Sequence, residues 1–161
     1  MRSPKTPSKK TSITALNPTI LFALVTALYL ILLAVDFVRY GGVVAPSWIT
    51  AAFAIALGGW IGCRRSEKPR APRVFAVLAV VSAAAQIALC CVAVPAYPVS
   101  AARAKLAQEY PGTSWAYSGT MDMTVRANAF VDKGYVFTQS GDAPQRVFFD
   151  PVTGDYFPLT L

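Results

Sequence analysis

The chain has 161 residues, of which 55% are hydrophobic and only 14% charged, with a mean hydropathy of +0.45. An ordinary soluble domain carries nearer to about a quarter charged residues, so the bilayer is the expected solvent for part of this chain. The net charge is +7, with ten basic and two acidic residues between Met1 and Arg73 and five basic and six acidic residues beyond. Basic residues that flank apolar runs, rather than gathering on one folded surface, argue against nucleic acid as a partner. Histidine is absent, which removes the commonest general base and the commonest metal ligand.

Residues 1–16 form a basic tail with Arg2, Lys5, Lys9 and Lys10. Three apolar runs follow, each near the roughly 20 residues of helix that cross a hydrocarbon core of about 30 Å. They cover about 18–38, 48–63 and 74–97, and the second is the shortest. Asn17 before Pro18 predicts a helix start, because asparagine caps free amides and proline fits the first helical position. The first run is longer than the apolar segment of a signal peptide, so an uncleaved anchor is expected. Trp48 and Tyr97 stand at run ends, where amphipathic rings favour the headgroup layer.

The loop 64–73, "RRSEKPRAPR", carries five basic residues. Basic loops stay in the cytoplasm, and with three spans the tail 1–16 and this loop share that side. Two spans would force them to opposite sides. The segment 98–161 is then extracytoplasmic.

Pro95 and Pro98 end the third run. "SAARAKLAQEY" (100–110) predicts a short helix stopped by Pro111-Gly112. In "MDMTVRAN" (121–128) Met121, Met123, Val125 and Ala127 alternate with polar residues, the pattern of a half-buried strand. "YVFTQ" (135–139), "RVFF" (146–149) and "YFPL" (156–159) predict further strands, and "SWAYS" (114–118) offers another at the start. The fold class expected is three transmembrane α-helices followed by a small α+β domain, one helix plus an antiparallel meander of four or five strands. About 60 residues is near the lower limit for an independent core, so attachment to the membrane or a partner is expected to help stabilise it.

"AARAKLAQEYPGTSW" leading to "VFFDPVTGDYF" resembles the small PepSY-type extracytoplasmic module, over about Ser100 to Phe157. Asp150, Thr153, Gly154 and the flanking aromatics carry the likeness. The resemblance implies a non-catalytic binding or regulatory domain, with no site residues to carry over.

Several residue patterns are candidates for function. Ala54, Gly58 and Gly62 recur every four residues on the second run and let another helix approach closely. They serve packing on this chain's own helices or, alternatively, self-association. Ala79, Ser82, Ala83 and Gln86 share a face of the third run, and Gln86 should face a helix because an unpaired amide in lipid is costly. Asp36 and Arg39, three apart near the end of the first run, form a candidate interfacial ion pair. Cys63, Cys90 and Cys91 read as small packing residues, and the tail, lacking cysteine, has no disulfide framework.

No catalytic, cofactor or metal site is expected. The tail has neither histidine nor cysteine, and Asp150 and Asp155 bracket a turn rather than a calcium loop. The tail does hold more aromatic rings than one face of a small sheet needs, and Trp115, Tyr117, Phe148, Phe149, Tyr156 and Phe157 make a candidate partner surface. Consecutive Phe148 and Phe149 must point to opposite faces. The function expected is an integral membrane accessory protein that presents its outer domain to another membrane complex or an envelope component. The alternative is a small oligomeric channel or transporter subunit. An impermeant reagent applied to intact cells should reach a tag at Leu161, and a cytoplasmic tag would overturn the three-span arrangement.

Overall fold

Asn17 opens the first helix by accepting from the Thr19 amide at 3.0 Å, and Pro18 takes the first helical position. The computed structural model describes residues 17–124, 126, 128–140 and 145–159. The basic tail 1–16 lies outside the described residues. Helix α1 is Pro18–Tyr40, α2 is Pro46–Arg65 and α3 is Ala71–Ala93. At about 1.5 Å per residue these are roughly 30–35 Å long, enough to cross a bilayer, and all three are apolar enough to do so.

Local chemistry sets their ends. Gly41 stops α1 in the left-handed conformation (φ 62°), its amide returning to the Asp36 carbonyl. Proline stands at the start of both other helices, Pro46 as the first residue of α2 and Pro72 as the second of α3. Helix α3 ends at Ala93, four residues short of the predicted Tyr97. Pro95 forces the preceding Val94 out of the helical region, to φ −60° and ψ 120°.

The helices run antiparallel in succession. Phe22 near the start of α1 stacks on Trp60 near the end of α2 (centroids 4.6 Å apart), and Tyr29 stacks on Phe53 (4.6 Å). A core of Val25, Ala56, Phe75 and Ala79 fills the space between the three. The remaining faces expose Leu24, Ile31, Val38, Val77 and Val80, the pattern of helices solvated by lipid.

A short connection leads to α4 (Val99–Glu109) and then to strands β1 (Trp115–Asp122), β2 (Lys133–Gln139), β3 (Arg146–Phe149) and β4 (Tyr156–Leu159). They form one antiparallel sheet in the order β1-β2-β3-β4. Pro158, which cannot donate to a ladder, sits on the edge strand β4.

The strand predicted over 121–128 is displaced. The "SWAYS" segment is instead the body of β1, which leaves the sheet after Asp122 pairs with Lys133 at the start of β2. Beyond that pair a single bond follows, from Met123 N to the Asp132 carbonyl at 2.9 Å, and alternation without a further partner strand does not make a ladder. Val125 and Ala127 lie outside the described residues. Asn128–Val131 instead turn back toward the helices.

That turn joins the two halves of the molecule. Val44, in the loop between α1 and α2, forms a β-bridge with Val131. Ala45 N donates to the Phe130 carbonyl at 2.8 Å, and Asp132 N donates to the Val43 carbonyl at 3.3 Å. Val43 and Tyr40 are buried in the same core as Ala102, Leu106, Trp115, Tyr135, Phe137 and Phe149. The sheet therefore completes its core with the outer end of a helical hairpin rather than standing apart from it.

Val43→Ala should lower the stability of the outer domain by about 1.5–3 kcal/mol, through lost methyl burial and the cavity left behind. Protease susceptibility of the domain and thermal melting in detergent measure this. An unchanged domain would show that the loop merely rests on it.

Candidate functional site

Three places bring together side chains beyond the needs of a chain threading a bilayer. The first is the helix interface. Ala79, Ser82 and Gln86 are fully buried, and Ala83 packs against the helical core. Ser82 Oγ donates to the Ala52 carbonyl of α2 at 2.7 Å and accepts from Gln86 Nε2 at 3.1 Å. This chain of two bonds satisfies the amide nitrogen of Gln86 while its Oε1 has no partner.

Ala54, Gly58 and Gly62 do not take part. Ala54, Gly58 and Gly62 are exposed, and a Cβ added at Gly58 or Gly62 would meet nothing within 4 Å. The residues of α2 that face its neighbours are Ile49, Ala52, Phe53, Ala56, Gly59, Trp60 and Cys63. Stacking of Phe53 and Trp60 on the rings of α1 decides which face turns inward, because aromatic area outweighs the close approach that small residues allow. Gly59 is the glycine that a neighbour abuts, with Phe75 and Leu78 of α3 against it. The spacing 49, 52, 56, 59, 63 alternates three and four and marks this face in the sequence.

The second place is the outer end of the hairpin. The Asp36 carboxylate accepts from the Val44 amide at 3.3 Å, binding the loop that carries the β-bridge. Arg39 lies over the Tyr40 ring, 5.8 Å from its centroid. Asp36 thus holds backbone in place of the ion pair with Arg39 that their spacing predicted. Both line a small, mostly apolar pocket of about 240 Å³ together with Leu32, Val35 and Cys90.

The third place is the sheet. Of the six aromatics expected at a partner surface, four point inward. Trp115 and Phe149 are buried, and Tyr117 and Tyr156 pack against the same core. Tyr117 OH donates to the Gly41 carbonyl at 3.4 Å, and its ring leaves no room for a side chain at Gly41. Tyr135 OH donates to the Tyr97 carbonyl at 3.0 Å, and burial pushes its phenol well above its ordinary value. Tyr97, Tyr117, Tyr135, Phe137 and Phe149 meet mostly edge to face, with centroids 5.6 to 6.4 Å apart.

Phe148 and Phe157 are the exceptions. They are cross-strand partners on the opposite face of the sheet, and Phe157 is 57% exposed. Phe148 lies across Gly134 of β2, which only a residue without a Cβ permits. With Met121, Met123 and Leu159 they line an open groove of about 520 Å³. Asp122, Asp150 and Asp155 also line it, and among the described residues its lining contains no cation. Asp150 is occupied with the turn, accepting from the amides of Val152 (2.7 Å) and Thr153 (3.2 Å).

Among the described residues no three His, Cys, Asp or Glu side chains are grouped to hold a metal ion, and the three cysteines are free. No protein-family model matches this chain, and neither a curated protein nor a solved structure matches it.

The buried hydrogen-bond chain makes a testable contrast. Ser82→Ala strands the Gln86 amide inside the bundle and should lower stability by about 1–2 kcal/mol, whereas Gln86→Leu, which removes the polar group altogether, should cost less. Melting of the purified protein in detergent ranks the two, and a larger loss for Gln86→Leu would contradict the bonding described.

Proposed function

We propose that this chain is an integral membrane accessory protein whose three helices anchor an outer domain, and that the domain docks on a partner membrane complex or envelope component through its Phe148–Phe157 face. The exposed cross-strand pair over an apolar groove carries this reading. The opposite face of the sheet is already committed to α4 and to the end of the α1–α2 hairpin, so one aromatic face is left over. An exposed apolar concavity of this kind marks an interaction surface more often than it persists in water unused.

The acids at the rim favour a partner segment that is apolar with basic flanks, since complementary charge steers and orients such contacts. The charge bias of the loop 64–73 favours the extracytoplasmic side for the domain. A PepSY-type resemblance of the tail would imply the same class of role. The described lining offers Thr124 and Thr153 beside carboxylates, with Asp150 and Thr153 engaged by the amides of their own turn, and a binding role fits it better than a catalytic one.

A photo-crosslinking residue placed at Phe157, in the full chain in its native membrane, should give one discrete protein adduct. The same residue at exposed Ala116, on β1, should not. Phe148→Ser with Asp155→Lys should abolish the adduct while leaving the protein inserted and protease-resistant. Adducts to lipid alone, or equal labelling from both positions, would remove the docking role.

A further inference from the structure

The opposite, basic end of the helices carries a second concavity that the outer domain does not touch. Gly58 and Gly62 leave one side of α2 without side chains, and Val74 and Leu78 of α3 form the facing wall. The resulting groove has a volume of about 440 Å³. From Gly58 to Ser66 is eight residues, or about 12 Å of helix rise. The groove therefore extends through much of one half of a hydrocarbon core about 30 Å thick.

Its mouth differs from its floor. Ser66, Lys68 and Arg70 line the open end at the α2–α3 loop, and no acid is among the lining residues. Arg64, Arg65 and Arg73 are exposed on the adjoining turns, and Glu67, the one acid among the described residues of this loop, lines with Arg65 a shallow depression that adjoins the groove at Gly62, Ser66 and Lys68. Arg64 is steadied over the Trp60 ring, 5.1 Å from its centroid. Apolar walls at the depth of acyl chains thus lead to cations at the depth of headgroups.

We propose that this groove binds a single anionic phospholipid, with an acyl chain along Gly58, Gly62, Val74 and Leu78 and the headgroup phosphate at Lys68 and Arg70. Basic pockets between transmembrane helices hold anionic headgroups through this combination of slot and charge. A neutral lipid fills the slot without engaging the cations. A second copy of the chain packed on the same glycines about a two-fold axis would bring two sets of Arg64, Arg65, Lys68 and Arg70 together, a like-charge juxtaposition that opposes the seam.

Native mass spectrometry of the full-length protein, equilibrated with mixed micelles of phosphatidylglycerol and phosphatidylcholine, tests this. The wild type should retain one phosphatidylglycerol in preference to phosphatidylcholine by about tenfold. Lys68→Gln with Arg70→Gln should bring that preference close to unity. Gly58→Leu with Gly62→Leu should fill the slot and abolish retention while the melting temperature holds, because a Cβ at either position meets nothing within 4 Å and the rest of the side chain has the open groove to occupy. Millimolar inorganic phosphate should not displace the lipid. Equal retention of both lipids by the wild type would overturn the proposal, as would displacement by phosphate. A dimer that the two leucines dissociate, with no lipid retained by the wild type, would assign the groove to a second copy instead.

Discussion

Everything outside the helical bundle depends on the short loop between α1 and α2. A four-stranded sheet with one helix buries too little apolar surface to be secure alone. Here the deficit is met by residues that the chain lays down about ninety positions before β2 begins. Val43 and Tyr40 enter the core, Val44 and Ala45 engage the 130–132 turn, and Asp36 secures the loop from below. Gly41 makes the geometry feasible, since its left-handed backbone reverses the chain and its missing side chain lets Tyr117 approach. Further contacts flank the loop, with Trp48 edge-on to Phe130 and the Asn128 amide donating to the Val92 carbonyl of α3.

Inside the bundle a different balance operates. Lipid is as apolar as the side chains, so helices are not driven together by escape from water, and packing plus hydrogen bonding must decide which faces meet. The ring stacks of Phe22, Tyr29, Phe53 and Trp60 supply area, and Ser82 with Gln86 supplies a directional link to the α2 backbone. The glycines left outside this arrangement, Gly58 and Gly62, border an open slot between α2 and α3.

Much of this was legible in the sequence wherever one local property dominates. Length and apolarity located three helices, and Asn17-Pro18 and Pro95 marked ends that backbone chemistry enforces. Phe148 and Phe149 announced two opposite faces because strand geometry leaves no choice. Non-local pairing was not legible. The alternation of 121–128 is a strand pattern, yet β2 offers Asp122 its last partner, so the sheet stops there. Val43-Val44-Ala45 reads as an ordinary connection, although an apolar triplet in an exposed loop was a sign that something covers it. Of the two readings of the α2 glycine stripe, packing on this chain's own helices does not hold at Gly58 and Gly62, which have no neighbour among the described residues. The three-four spacing of Ile49, Ala52, Ala56, Gly59 and Cys63 was the competing signal, and the bulk of Phe53 and Trp60 settled the contest.

The outer domain is fastened at two points, by the covalent run from α3 through Pro95 and Pro98 into α4 and by the bridge from Val44 to Val131. A body on one flexible tether samples every heading, whereas a body pinned at two separated points keeps a single bearing. The sheet's outward normal is accordingly fixed in relation to the helices. Under the docking role proposed above, the Phe148–Phe157 face is an aimed surface, open to a partner from one direction relative to the helices.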